Sequence, residues 1–271
     1  MLDFQFSVLL PIYYKENPEY FTLALESLRN QTLPPTEVVI VKDGPLPKSL
    51  EDVIVGFVEL LPLKVFALEK NLGLGNALDF GLRKCSHEHV ARMDSDDICA
   101  RNRFEKQADI FLASPGLDIL GSYLNEFVHE IGDLNVIRRV PLTHDRIHDY
   151  TFYRCPFNHP TVMFRKSAVL KAGSYKRMPF FEDYYLWIRM AVAGCTFRNT
   201  EEILLHYRIG NNMISRRHGL EYARFEQLFF ISCYREGLIT KVQLLRFFGR
   251  FPLRILPIGM LKKFYDLALR K

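Results

Sequence analysis

The stretch FSVLLPIYYKENPEYFTLALESLRNQTLPPTEVVIVKDG, Phe6 to Gly44, decides how the chain folds. FSVLLPIYY is a short apolar run of strand length, NPEYFTLALESLRNQ has the spacing of a helix, and TEVVIVKDG is a β-branched run closed by an Asp-Gly turn. Runs without a polar alternation suit strands covered on both faces, and strand–helix–strand order suits a parallel sheet. The alternation continues outward. KSLEDVIVGFVELL reads as a helix, LKVFALEKN as a strand, LGNALDFGLRKC as a helix, EHVARMDSDD as a strand and RNRFEKQADIFLAS as a helix. Pro11, Pro34-Pro35, Pro45 and Pro62 fall between or at the ends of these segments, where a missing N–H is tolerated.

This pattern predicts an α/β fold with a mostly parallel, Rossmann-like sheet. In such a sheet ligands bind beyond the carboxyl ends of the strands. Tyr13, Asp43, Asn71 and Asp94 stand just past those ends and should share one rim. After Pro115 the pattern changes. LDILGSYLNEFV, NVIRRV and EILLHYR read as strands, FNHPTVMFRKSAVLKAG as a strand running into a short helix, and FEDYYLWIRMAVAG and LEYARFEQLFFISCYREG as helices. The expected organisation is one domain over 1–240, with a nucleotide half (1–115) and an acceptor half (116–240), followed by a tail, 241–271.

Composition bounds the function. At 271 residues, 48% hydrophobic and 25% charged, the chain has the make-up of a folded globular protein. The N-terminus lacks the basic region and cleavage site of a secretory signal, and Cys85, Cys99, Cys155, Cys195 and Cys233 are scattered without a Cys-x-x-Cys pair, so a cytoplasmic location is expected and a zinc site is not. The tail carries eight basic residues against Asp266, leaving the rest near −2 of the formal +5. Its Phe, Leu and Ile alternate with Arg and Lys, which suits a peripheral contact with an anionic inner membrane face. It never reaches the ~20 apolar residues of a span. The slightly acidic remainder argues against nucleic acid.

Two acidic sites carry the chemistry. Asp94, Asp96 and Asp97 follow a strand directly, and like charges so close call for a cation; an Asp-x-Asp there suits Mg2+ or Mn2+ bound with phosphate oxygens. Glu182 and Asp183 open an amphipathic helix, where a carboxylate either caps the helix or serves as a general base for a sugar hydroxyl. Weaker signals are set aside. Gly73 and Gly75 follow the third strand and lack the third glycine of a dinucleotide motif, and His144 and His148 lack the adjacent glutamate of a zinc helix. The loop LPIYYKENPEY has no glycine, which disfavours a sugar-1-phosphate nucleotidyltransferase; the carboxylates disfavour a non-catalytic saccharide-binding scaffold.

SVLLPIYYKENPEYFTLALESLRNQT, VVIVKDGP, NLGLGNAL, ARMDSDDI, NHPTVMFRKSAVLKAGSY, EDYYLWIRMA and LLHYRIGNNMISRR, in this order, resemble bacterial family 2 glycosyltransferases of the GT-A fold, especially the non-processive enzymes of capsule, O-antigen and exopolysaccharide synthesis. The resemblance implies an inverting transfer of a hexose from a UDP-sugar to a saccharide, one carried on a lipid diphosphate. It implies that Pro11, Ile12 and Tyr13 line the nucleotide pocket, that Asp43 bonds the uracil, and that Asn71 and Gly75 lie near base and ribose. Asp94 and Asp96 would hold Mn2+ or Mg2+, with Asp96 the direct ligand and Asp97 contacting the donor sugar or supporting the shell around the ion. Asp183 would be the base, with Glu182, Trp187 and His159 on the acceptor side. Many relatives place a metal-binding His shortly after the Tyr-Arg of the last strand. Here Tyr207-Arg208 is followed by Ile209, and Arg208, Arg216 or Arg217 would instead neutralise the diphosphate.

Overall fold

The computed structural model describes residues 4–210 and 219–249. Strands β1 (Phe6–Ile12), β2 (Glu37–Lys42), β3 (Leu63–Ala67) and β4 (His89–Arg92) alternate with helices α1 (Pro18–Arg29), α2 (Lys48–Phe57) and α3 (Leu74–Lys84). A two-residue strand β5 (Ile98–Cys99) and α4 (Arg103–Ala113) follow. Next come β6 (Ile119–Phe127), β7 (Val136–Arg138), α5 (His144–Thr151), a 3-10 turn at His159–Thr161, β8 (Met163–Arg165), α6 (Lys166–Lys171), α7 (Glu182–Val192) and β9 (Phe197–Arg208).

The nine strands of the described residues share one sheet in the order β3-β2-β1-β4-β8-β6-β9-β5, with β7 added beside β6. The first four are parallel. β8 then enters antiparallel to β4, so the sheet is mixed beyond that point and the strands on either side of residue 115 belong to the same sheet. Side chains of β1 explain why helices lie on both faces. Val8 and Leu10 join Phe21 and Leu25 of α1, Leu50 of α2 and Phe104 of α4 in one buried layer. Leu9 joins Leu78 of α3 and Leu186 and Trp187 of α7 in the other, since successive strand side chains point to opposite faces. Local chemistry agrees with these elements: the Asn17 side chain accepts from the backbone N–H of Glu19 and Tyr20, capping α1, and Pro18 occupies its first turn.

The chain divides after Arg208. One compact unit holds the sheet and the helices named so far; the other consists of Met178–Phe181 and the chain beyond Arg208. The second contains α8 (Leu220–Arg235) and α9 (Lys241–Phe248). Phe181 stacks on Phe229 and Phe230 on Phe247, and a reciprocal Thr240–Gln243 capping box starts α9. Of the basic tail, residues 250–271 lie outside the described residues. No helix among the described residues is long and apolar enough to cross a membrane.

Candidate active site

The rim beyond β1 to β4 is assembled by backbone clasps. Asp43 N–H donates to Ile12 O (2.8 Å), while its carboxylate accepts from Leu72 N (2.7 Å) and Gly73 N (3.0 Å). Asn71 Nδ2 donates to Asp43 O (3.2 Å). A Cβ on Gly44 would lie 2.7 Å from Asn71 N, so only glycine lets the two loops meet. Asp43 and Asn71 thus stand together as the sequence suggested, and the Asp43 carboxylate fixes the loop while keeping lone pairs for a ligand. Pro11 and Ile12 are buried in the sheet; Tyr13 is the residue of that trio whose side chain reaches solvent.

Directly after β4, Asp94, Asp96 and Asp97 each bring a carboxylate oxygen within 4.8 Å of the others. Asp94 forms an ion pair with the fully buried Arg92. Asp97 has no solvent exposure; one oxygen accepts from Arg208 N (2.9 Å) and the other has no partner. Asp96 is half-buried and has no ion pair among the described residues. Burial, reinforced by Asp94, pushes Asp96 up to about 6 and, together with Asp96, lifts Asp97 well above the carboxylate range. Three oxygen donors, one of them orphaned in the interior, form a set that a hard divalent cation fits, because its charge reverses each of these penalties.

Glu182 and Asp183 form the first turn of α7. Burial, then the neighbouring Asp183, raises Glu182 to about 7. Asp183 Oδ1 accepts from Tyr184 N (2.7 Å) and its Oδ2 lies 3.7 Å from the Cys155 thiol. Gly75, at the start of α3, packs closely against this turn: a Cβ there would sit 2.5 Å from Lys176 O and 2.9 Å from Glu182 Cγ. His159 shares a hydrogen bond with Tyr175 Oη (3.0 Å), and burial, with Arg92 nearby, holds the imidazole well below its usual value and neutral.

Two expected sites need correction. Trp187 has no exposed surface and packs edge-on against Phe157 and His159, because α7 is buried from Tyr184 to Ala191 and reaches solvent only at Glu182 and Asp183 and at Val192 at its far end. It supports the site from behind and presents nothing to an acceptor. Arg208 is likewise buried, its guanidinium against the rings of Tyr20 and Phe127 and its Nε bonded to the Asp96 carbonyl. Arg216 and Arg217 lie outside the described residues. Sequence reasoning missed Arg92, Tyr175 and Cys155. Arg92 did leave a signal, since a charged residue in an otherwise apolar strand two positions before an acidic run requires a buried partner.

The mixed sheet thus carries an acidic turn past its fourth strand, and Glu182 and Asp183 open α7 in the same compact unit. The family profile described as Glycosyl transferase family 2 matches residues 7–173, and the chain belongs to that family; it is a glycosyltransferase with the GT-A fold. It is 40% identical over 266 residues to the amylovoran biosynthesis glycosyltransferase AmsE of Erwinia amylovora, covering 96% of this chain and 98% of that one. It is 37% identical over 268 residues to the Escherichia coli UDP-Gal:alpha-D-GlcNAc-diphosphoundecaprenol beta-1,3-galactosyltransferase, covering 98% and 97%. Among solved structures, the mannosyltransferase PcManGT of Pyrobaculum calidifontis, in complex with GDP-Man and Mn2+, superposes with a TM-score of 0.68 at 16% identity, covering 98% of this chain and 76% of that one.

Proposed function

We propose that the protein is an inverting, divalent-metal-dependent transferase that moves a hexose from a UDP-sugar to a hydroxyl of a lipid-diphosphate-linked saccharide during bacterial surface polysaccharide synthesis. The observation that carries this reading is the Asp94–Asp96–Asp97 cluster just past the carboxyl end of β4, in the same compact unit as the Asp43–Asn71 clasp and the Glu182–Asp183 turn. Support for the donor and acceptor comes from the Escherichia coli relative, a UDP-Gal:alpha-D-GlcNAc-diphosphoundecaprenol beta-1,3-galactosyltransferase.

Tyr13, Asp43 and Asn71 would receive the uridine, with Gly75 allowing the ribose side to approach the α3 N-terminus. Asp96 and Asp94 would hold Mn2+ or Mg2+, which when bound supplies Lewis-acid stabilisation of the departing diphosphate. Asp97, locked to the backbone of Arg208, keeps the turn in shape beside the donor sugar. Asp183 would take the proton from the acceptor hydroxyl as that oxygen attacks the anomeric carbon from the face opposite the nucleotide, so the C–O bond to UDP breaks as the new glycosidic bond forms. Glu182, carrying a proton near neutral pH, would donate to an acceptor oxygen, and His159 would line the same side. The basic chain from Lys241 onward would hold the enzyme against the inner membrane face, at its lipid-linked substrate.

The experiment is a transfer assay with UDP-hexoses and a lipid-diphosphate N-acetylhexosamine acceptor, comparing wild type with Asp183→Asn and Asp96→Ala, with product anomeric configuration read by NMR. Loss of transfer in both variants and an inverted product are expected. Full activity of Asp183→Asn, or a retained configuration, would overturn the mechanism.

A further inference from the structure

Arg208 ends β9 at the edge where the acidic turn is made. β9 pairs antiparallel with β5, with His206 opposite Ile98, and extending that register sets Arg208 opposite Asp96. On its other side β9 runs parallel to β6, with Arg208 beside Phe127. The side chain is 5% exposed. Its guanidinium lies 3.9 Å from the ring centroid of Tyr20 and 4.3 Å from that of Phe127. Nε donates to the Asp96 carbonyl (3.0 Å), Nη1 to the Val128 carbonyl (3.2 Å), and the backbone N–H to Asp97 Oδ1 (2.9 Å).

We propose that Arg208 is a positioning residue for the metal-binding turn: it clamps the backbone of Asp96 and the carboxylate of Asp97 at once, so that the three carboxylates stand preassembled for a divalent cation. The inference rests on the metal-dependent reading of that turn. Two features set it apart from generic charge balance. The cation lies against two aromatic rings, so reaching forward to a diphosphate would forfeit both contacts. Its two donors also serve carbonyls in different segments, the acidic turn and the residue after β6, which a lysine's single ammonium on a flexible stem cannot reproduce. Arg208→Lys, which keeps the charge, should therefore fail nearly as fully as Arg208→Gln.

The test measures Mn2+ binding through loss of the free-ion EPR signal, and UDP and uridine binding by calorimetry in the presence of Mn2+, on wild type, Arg208→Lys, Arg208→Gln and the milder Tyr20→Leu. Outer residues that orient metal ligands typically cost about 10- to 100-fold in metal affinity when removed, and a loss in that range is expected for both Arg208 variants, with a smaller loss for Tyr20→Leu. Uridine, which lacks the diphosphate, should bind all variants within about twofold of wild type, as expected when metal-ligand orientation alone is lost. Wild-type Mn2+ affinity in Arg208→Lys would overturn the proposal, as would a parallel loss of uridine binding, which marks a general folding defect. If wild type binds Mn2+ and Arg208→Lys does not, the clamp stands even where UDP binding fails and the donor assignment falls. A wild type that binds no Mn2+ overturns both.

Discussion

Replacing Glu182 by Gln should stabilise the protein at alkaline pH and leave its stability at acid pH unchanged. The carboxyl is half-buried at the start of α7, pressed close to Gly75 and next to Asp183, and burial with that neighbour raises it from its ordinary 4.5 to about 7. The folded state therefore holds the proton more tightly than the unfolded chain does. Below pH 4.5 both states are protonated and no penalty exists; between 4.5 and 7 the penalty grows; above 7 it is complete. A carboxyl raised from 4.5 to about 7 carries at most about 3 kcal/mol of such penalty, and partial solvent access reduces that to about 1–2 kcal/mol. Glutamine keeps the shape without the charge, so urea unfolding at pH 8.5 should show Glu182→Gln about 1–2 kcal/mol more stable than wild type, and the two indistinguishable at pH 4.5. Equal stability at both pH values, or a variant weaker at pH 8.5, would refute the reasoning. Lower turnover alongside higher stability is the expected signature of a group strained for function.

Further outcomes follow from other contacts. Gly75→Ala places a methyl 2.5 Å from the Lys176 carbonyl; overpacking of this kind costs about 1–3 kcal/mol, and because the displaced turn carries Asp183, kcat should fall with the denaturant midpoint, whereas wild-type values for both would contradict the contact. Glu37 is buried, which opposes its ionisation, yet hydrogen bonds from Lys64, Ser7 and Ser86 hold it down to about 2. Its stabilisation is present above pH 4.5 and is lost as pH falls toward 2, so Glu37→Gln should cost about 2 kcal/mol at pH 7 and clearly less at pH 3.5 by urea unfolding. Removing Lys241 to Lys271 should abolish flotation with anionic vesicles, and unchanged flotation would detach the tail from any membrane role.

Much of the fold was legible because its signals are local. The first four strands and their helices each carry a run of strand or helix length, and every one forms within the segment that the pattern gives it. The reversal at β8 was not legible, since a three-residue strand, Met163–Arg165, carries no mark of direction and is set by its partners β4 and β6. The acidic turn and the Glu182–Asp183 pair stand out in the sequence because clustered carboxylates violate the usual preference for dispersed charge. Trp187 and Arg208 were misplaced for one reason: motif position says that a residue is near a site, while the face of α7 and the register of β9 decide whether it points toward the ligand or supports it from behind. Tyr175 left no signal, because its hydrogen bond to His159 joins segments that only the fold brings together.

The most direct measurement is calorimetric titration of UDP and of GDP into the purified protein, with Mn2+ and with EDTA, on wild type and Asp96→Ala. UDP binding that exceeds GDP binding and requires both Mn2+ and Asp96 is the expected result. Equal affinity with and without metal, or full binding by Asp96→Ala, would contradict a metal-held diphosphate at the acidic turn.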